Sequence, residues 1–225
     1  MAEVVQEVGY SPTYKEYNSR NIFEKITSRT ALFLCVDALD FNSRTTGEPN
    51  PKMKVRCCNY DVDKPVGERI INEIDSYIPI SKFLLLCHDV LNGTAYKRKT
   101  LLAKAKDSPE YKNAVYFQNY GGSYGPPVTA TRFALVNGVG GEGFAFLASS
   151  GPGKTTKAGA ILPLSKNDGG TAPTTVFVNL SNDDLKEFCL IGKAYIEQFI
   201  GLDLTSRLRI VREQRANYVA TRERP

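Results

Sequence analysis

The sequence predicts an α+β fold of two pseudo-repeated units, each made of antiparallel β-strands followed by a helix. Short apolar segments between turn residues predict the strands, and two longer segments with helical spacing predict the helices. The entrances to these helices match, because residues 78–83 read IPISKF and residues 178–183 read VNLSND. Cys87 and Cys189 follow at nearly the same offset, so we infer that a strands-then-helix unit occurs twice.

The first half contains two predicted strands and one predicted helix. Residues 30–38 (TALFLCVDA) are predicted to form a buried strand, and the alternation in residues 53–60 (MKVRCCNY) predicts a second strand. In residues 81–91 the apolar side chains are too numerous to fit on one narrow face of a helix. The segment is therefore predicted to form a well-buried helix. Ser81 is its predicted cap, and the pair Asn92-Gly93 is predicted to end it.

The second half has clearer signals. Five strands are predicted, at residues 114–119, 129–136, 143–148, 159–164 and 174–179. Ser181 is a favourable N-cap for the helix that follows, and the acidic residues Asp183 and Asp184 suit its first turn. Apolar residues then recur every three or four positions as far as Ile200, and Gly201 is predicted to end the helix.

The chain is expected to divide into an arm, one domain and a tail. Residues 1–20 are polar and predict an N-terminal arm. Residues 21–205 predict a single α+β domain, with pseudo-repeats at about 21–93 and 112–201. Residues 206–225 are rich in arginine and predict a basic C-terminal tail, which is either disordered or a short helix.

Composition favours an ordinary intracellular globular protein. Apolar residues make up 42% of the 225 and charged residues 24%, and there is no apolar run long enough to span a membrane. The acidic N-terminal segment does not resemble a secretory signal. The five cysteines match no disulfide framework or zinc site, so free buried thiols in a reducing cytoplasm are expected.

The formal charge of +5, from 29 basic and 24 acidic residues, is unevenly distributed. Basic residues concentrate in residues 96–112, in residues 151–157 and in the tail, whereas acidic residues gather elsewhere. This segregation of basic from acidic residues predicts a polyanionic partner. Solvated loops and a solvated tail are the alternative explanation of the same pattern.

Residues 148–155 (ASSGPGKT) match a relaxed phosphate-loop pattern and follow a predicted strand. The residues after them favour a strand over the required helix, and the chain then ends too soon for the parallel sheet of an NTPase. A basic β-turn at a sheet edge is therefore favoured. A phosphate-loop-like nucleotide-binding enzyme remains the first alternative.

Catalytic and metal sites find little support in the sequence. His88 is the only histidine, and its neighbour Cys87 cannot face it on a helix to form a Cys–His dyad. The Asp183/Asp184 pair is explained by helix capping. We therefore predict that the protein is not an enzyme and has no metal or other cofactor.

The order of elements and the junctions at Ser81 and Ser181 resemble the Whirly and positive-cofactor class of single-stranded DNA-binding proteins. The resemblance covers roughly residues 20–200. The lysine-glycine-lysine-alanine signature of plant Whirly proteins is absent, so a bacterial or phage type is expected. The resemblance implies a Whirly-like fold, a sheet face that holds single strands, and homo-oligomers that associate through their helices.

Basic and aromatic residues that suit such a face are present in the sequence. Stacking on aromatic rings and contacts from basic side chains to phosphates are the usual means of binding single strands. Alternation in residues 114–119 predicts that Tyr116 faces the ligand and Phe117 the core. The predicted nucleic-acid-binding residues are Lys54, Arg56, Lys97, Arg98, Lys99, Tyr116, Tyr120, Tyr124, Arg132, Lys154 and Lys157.

The function expected from the sequence is binding of single-stranded DNA with little sequence preference. Replication, recombination or transcription is the expected setting, and no contact with a membrane is expected. RNA is an open alternative to DNA. A structural or assembly protein of a phage or mobile element is the second alternative to the DNA-binding function.

Overall fold

A computed structural model describes residues 20–39, 41–42, 47, 49–157, 161–164 and 170–222. Side chains are described throughout these ranges except at 206, 207, 210, 211 and 214–222. The predicted N-terminal arm lies outside the described residues, apart from its last residue, Arg20. The first two residues of the strand predicted at 159–164 also lie outside them.

The first half forms an antiparallel sheet, here called sheet 1, whose strands are neighbours in chain order. These strands are β1 (Asn21–Ile26), β2 (Thr30–Cys35), β3 (Lys52–Tyr60) and β4 (Ile70–Pro79). Helix α1 (Ile80–Leu91) follows β4 directly. Asn92 and Gly93 end α1 as predicted, with Gly93 at a φ of 77° that favours glycine.

The second half forms another antiparallel sheet, here called sheet 2, in which β5, β6, β7 and β9 lie side by side. The strands are β5 (Val115–Ser123), β6 (Thr129–Asn137), β7 (Phe144–Thr155), β8 (Ile161–Pro163) and β9 (Thr174–Leu180). The short β8 pairs with the last residues of β7. Helices α2 (Thr94–Leu102) and α3 (Pro109–Lys112) connect the halves, and α4 (Asn182–Arg222) follows β9.

The predicted fold class is confirmed, because each half consists of antiparallel strands followed by a helix. Two strands, β1 and β4, were not predicted from the sequence. In β4 the core-facing positions are Ile74, Ser76 and Ile78, and the serine weakens the apolar alternation. The strand predicted at residues 114–119 continues to Ser123, since Gly121 and Gly122 both pair with β6 inside β5.

The two helix entrances differ in detail. At α4 the hydroxyl of Ser181 accepts a hydrogen bond from the Asp184 amide (3.1 Å), and the Asp184 carboxylate accepts one from the Ser181 amide (2.8 Å). This reciprocal pair is a capping box, so the predicted cap is confirmed. The corresponding prediction for Ser81 was wrong. Helix α1 already begins at Ile80, with Pro79 at the N-cap and without a side-chain cap.

Helix α4 continues through Gly201 to Arg222, so the predicted helix end at Gly201 was wrong. A glycine inside a helix costs about 1 kcal/mol relative to alanine but does not by itself end the helix. The part of α4 that follows Gly201, here called the distal part of α4, exposes Leu202, Leu204 and Leu208 by 66%, 55% and 48%. None of the helices in the described part of the chain is both long enough and apolar enough to cross a membrane.

A single core joins the two halves. Phe188 of α4 lies at its centre, with ring centroids 5.5 Å from Phe23 of β1, 5.6 Å from Phe83 of α1 and 5.0 Å from Phe146 of β7. A Cβ atom on Gly192 would lie 2.5 Å from the Phe83 ring, so the close approach of α1 and α4 requires glycine there. The sheets also contact each other directly, with β9 against β2 and β3 and with β4 against β5, β6 and β7, so one core lies between the two sheets and the two helices.

Candidate nucleic-acid interface

Each sheet has one face on the core and an opposite face directed away from it, here called the outer face. The strand register identifies the residues of each outer face, because directly paired residues point the same way. In sheet 2, Phe133, Leu135, Phe146 and Val178 face the core. Their neighbours along each strand therefore belong to the outer face.

Two rows of paired residues cross the outer face of sheet 2. One, here called the arginine row, consists of Tyr120, Arg132, Ser149 and Thr175 from β5, β6, β7 and β9. The other, here called the apolar row, consists of Gln118, Ala134, Leu147 and Phe177. The face therefore combines aromatic, apolar and polar groups with one arginine.

The outer face of sheet 2 carries aromatic rings on two of its strands, β5 and β9. Tyr120 is 45% exposed on β5, and Phe177 is half-buried on β9. Three strand spacings separate their strands, which corresponds to about 14 Å. The apolar row places the small, buried Ala134 and the half-buried Leu147 between those strands. The part of the outer face that extends from Tyr120 to Phe177 is here called the aromatic strip.

Arg132 lies within the aromatic strip and has an unsatisfied donor. Its Nε is buried and has no hydrogen-bond partner within the described part of the structure. An unpaired buried donor costs about 1–3 kcal/mol, and more when the group is charged. An acceptor on a bound ligand would remove that cost. Arg132 and Tyr120, both predicted from the sequence, are therefore brought together as directly paired residues.

The predicted orientation of Tyr116 was wrong. The register of β5 against β6 shifts between Val115 and Phe117, so a β-bulge interrupts the alternation there. As a result, both Tyr116 and Phe117 pack against the core. The Tyr116 hydroxyl donates to the Asn137 side-chain oxygen (2.7 Å), and its ring meets Phe144 edge-on at 5.1 Å.

Lys54 and Arg56 lie on the outer face of sheet 1, as the alternation predicted, but their charges are compensated there. Lys54 Nζ lies 3.2 Å from Asp37 and 3.3 Å from Asp75, and Arg56 Nε lies 2.7 Å from Asp75 Oδ1. Glu73 lies 3.3 Å from the same guanidinium. The expectation that both cations are available to phosphates was therefore wrong, since carboxylates from β4 and the β2–β3 connection already bind them.

The pKa values of these groups agree with ion pairing. Burial by itself would raise the pKa of Asp75, but hydrogen bonds from Arg56 and the adjacent charges hold it below its ordinary value. Burial would lower the pKa of Lys54, but the Asp75 and Asp37 carboxylates together outweigh this effect and raise it. The outer face of sheet 1 is thus an internally neutralised surface.

The basic cluster at residues 97–99 lies on α2, away from the outer face of sheet 2. Lys97 and Arg98 are exposed, and the Arg98 guanidinium lies 5.6 Å from the centre of the Tyr116 ring. Lys99 donates a hydrogen bond to the Gly143 carbonyl and lies 4.7 Å from the centre of the Phe144 ring. Lys99 therefore has a structural role that the sequence did not indicate.

The remaining predicted residues gather at one end of sheet 2. Tyr124 is 62% exposed in the β5–β6 turn. Lys154 is the penultimate residue of β7 and Lys157 lies just beyond the strand, and both are exposed. Residues 148–155 are extended within β7 and pair with neighbouring strands, so they do not wrap around a phosphate as a phosphate loop does. The extended conformation of these residues does not support the alternative function, a phosphate-loop enzyme.

Several residues of the outer face of sheet 2 were not among the predicted site residues. They are Gln118, Leu147, Ser149, Thr175 and Phe177. One sequence signal could have found Phe177. It precedes Val178 and Ser181 as Tyr77 precedes Ile78 and Ser81, which places an aromatic residue at the same position of both repeats.

Comparisons with known proteins give a distant likeness only. The plant transcriptional regulator PBF-2 is similar over 82% of this chain and 85% of its own, with 7% identity and a TM-score of 0.44. WHY3 from Arabidopsis thaliana is similar over 82% of this chain and 91% of its own, with 8% identity and a TM-score of 0.45. No protein-family model matches the sequence, and no curated protein matches it either.

Proposed function

We propose that this protein binds single-stranded nucleic acid on the outer face of sheet 2. The observation that carries the proposal is the aromatic strip, which has Tyr120 and Phe177 on its outer strands and the unpaired Nε of Arg132 between them. Every base has a flat face that can stack on an aromatic ring, at about 1–3 kcal/mol per base. An unpaired strand offers those faces, whereas a duplex conceals them.

The composition of the aromatic strip favours binding without strong sequence preference. Stacking tolerates any base, and one arginine can contact a phosphate or a base edge. Gln118, whose side chain lies 3.4 Å from the Tyr120 hydroxyl, is the one amide on the two rows. We propose DNA as the ligand, with RNA as the alternative that the binding experiment separates.

The test is a fluorescence-anisotropy titration with labelled oligo-dT, the corresponding duplex and oligo-U at two salt concentrations. We expect oligo-dT to bind at least about tenfold more tightly than the duplex, because stacking requires unpaired bases. Equal affinity for single strands and duplex would indicate a purely electrostatic contact. Absence of binding at low salt would overturn the proposal.

We propose further that the chain forms homo-oligomers through the distal part of α4. That part exposes three leucines, and an isolated helix is only marginally stable in water. Charge along α4 is also segregated: residues 182–203 contain five acidic and two basic residues, and residues 204–222 contain one acidic and five basic residues. Antiparallel pairing of two copies would place opposite charges together.

Light scattering tests this association. We expect a dimer or larger assembly for the wild type and a monomer for Leu204→Glu/Leu208→Glu, since both changes place charge on the exposed apolar side chains. A monomeric wild type at high protein concentration would contradict it. An assembly with no affinity for oligo-dT would instead favour the second alternative, a structural or assembly protein.

The same proposal extends to the biological setting. A protein that holds single strands with little sequence preference serves replication, recombination or transcription, where duplexes open. The cytoplasm is the proposed compartment, since each of the five cysteines is a free, buried thiol and thiols persist in reducing compartments. A catalytic role is not proposed.

A further inference from the structure

We propose a second binding site, for a phosphate group, in a cleft between α2, α3 and the loop that joins β6 to β7. The cleft has a volume of about 310 Å³ and is lined by Tyr96, Lys99, Thr100, Lys106 and Tyr111 together with loop glycines and Asn182. No residue of the two rows on the outer face of sheet 2 lines it. The site is therefore independent of the proposed nucleic-acid interface.

The charge in this cleft is not neutralised by the protein. Lys99 and Lys106 both line it, whereas no carboxylate does. Within the described residues neither lysine forms an ion pair. Burial lowers the pKa of Lys99, which reflects the cost of holding an ammonium group away from water without a counter-anion. A bound anion would offset that cost.

The nearest acidic side chain, Asp183, does not alter this balance. It follows the lining residue Asn182 and lies close enough to Tyr96 to contribute to its raised pKa, after burial and Cys189. Lys186 lies 3.8 Å from the Asp183 carboxylate and compensates it. The two lining lysines are left as the excess positive charge.

The available donors select the class of ligand. The hydroxyls of Tyr96, Thr100 and Tyr111 already donate to the backbone carbonyls of Asn182, Tyr96 and Gly141. Recognition therefore depends on the ammonium groups. Lys99 uses one of its three N–H donors on Gly143, so two remain, and Lys106 provides three more. Several donors on two positive charges match the oxygens of a phosphate dianion.

The volume of the cleft lies at the lower end of the range found for ligand pockets. The cleft can therefore hold a phosphate group with only a small attached moiety. Two sources share this chemistry, a free phosphate monoester such as a mononucleotide and the terminal phosphate of a strand. The tyrosine rings would form walls around the attached group. The experiment separates the two sources.

The first experiment measures the thermal midpoint with inorganic phosphate against chloride at equal ionic strength. We expect about 20 mM phosphate to raise the midpoint by about 3 °C, as a ligand of millimolar affinity does. The variant Lys106→Met should lose this increase, and Lys104→Met, an exposed lysine two positions away that does not line the cleft, should retain it.

Further ligands identify the source. A similar increase with adenosine monophosphate, absent with adenosine, would support a free phosphate monoester. Tighter binding of a 5′-phosphorylated oligonucleotide than of its unphosphorylated form, lost in Lys106→Met, would support a strand end. Three results would overturn the proposal: no increase with inorganic phosphate, an increase that persists in Lys106→Met, or an equal increase with acetate.

Discussion

The outer faces of the two sheets occupy equivalent positions in the two repeats and carry opposite kinds of surface. The arginine row of sheet 2 (Tyr120, Arg132, Ser149, Thr175) corresponds in register to Glu24, Phe33, Arg56 and Asp75 of sheet 1. In sheet 1 the arginine is hydrogen-bonded to the aspartate on the next strand. In sheet 2 the corresponding neighbours of Arg132 are uncharged.

This difference shows that the repeated backbone does not determine the chemistry of its faces. The same strand order supports a surface whose cations are neutralised by local carboxylates and a surface whose arginine keeps an unpaired donor. A neutralised surface gains little by binding a polyanion, because new contacts must replace existing ion pairs. Sheet 2 is therefore the half that we assign to nucleic acid.

The largest expected effect comes from removing both rings of sheet 2. Tyr120→Leu/Phe177→Leu keeps apolar side chains but eliminates stacking, so we expect affinity for oligo-dT to fall about 100-fold. The control is Tyr77→Leu at the equivalent position of sheet 1, where Tyr77 stacks on Phe41. An equal loss of affinity from Tyr77→Leu, measured by anisotropy, would remove the distinction between the sheets.

A second prediction concerns the ion pairs of sheet 1. Asp75→Asn leaves Lys54 and Arg56 partly uncompensated, and we expect a loss of about 2 kcal/mol in the free energy of unfolding at pH 7. Affinity for oligo-dT should not change. Urea titrations followed by circular dichroism measure the free energy of unfolding.

The pH dependence of this loss follows from the depressed pKa of Asp75. A carboxyl whose pKa is lower in the folded than in the unfolded state stabilises the fold above the unfolded value, about 3.9. That stabilisation disappears as the pH falls through the folded value. The difference between wild type and Asp75→Asn should therefore shrink from pH 7 to pH 3, and an undiminished difference would contradict the ion-pair account.

A smaller effect is expected from Arg132→Gln. The change removes one cation and an unpaired donor, so affinity for oligo-dT should fall about tenfold. The slope of the logarithm of affinity against the logarithm of salt concentration should become less steep by about one. Stability should stay the same or rise, since the unpaired Nε disappears. Arg29→Gln, an exposed arginine of the β1–β2 turn, should leave affinity unchanged. A stability loss without any change in affinity would make Arg132 purely structural.

Local signals made much of the fold predictable. The capping box at Ser181 and the apolar spacing of α4 depend on residues close in sequence, so they could be read directly. The orientation of Tyr116 could not, because a β-bulge depends on the partner strand. Lys54 and Arg56 were assigned to the correct face, but their neutralisation requires Asp75 from β4, a strand that the sequence did not reveal.

The candidate site illustrates the same limit. Tyr120 and Arg132 were predicted individually, but their direct pairing is a matter of register between β5 and β6. Phe177 and Leu147 appear as ordinary core residues in an alternating strand. Only the assembled sheet distinguishes the face on the core from the outer face.

The most direct test of the central claim uses the absence of tryptophan from the chain. Phe177→Trp and Tyr77→Trp each introduce a single fluorophore at equivalent positions of the two sheets. Stacking of a base on the indole would quench its emission. We expect oligo-dT to quench Phe177→Trp saturably and leave Tyr77→Trp unchanged. Quenching of Tyr77→Trp with no change in Phe177→Trp would contradict the assignment of nucleic acid to sheet 2.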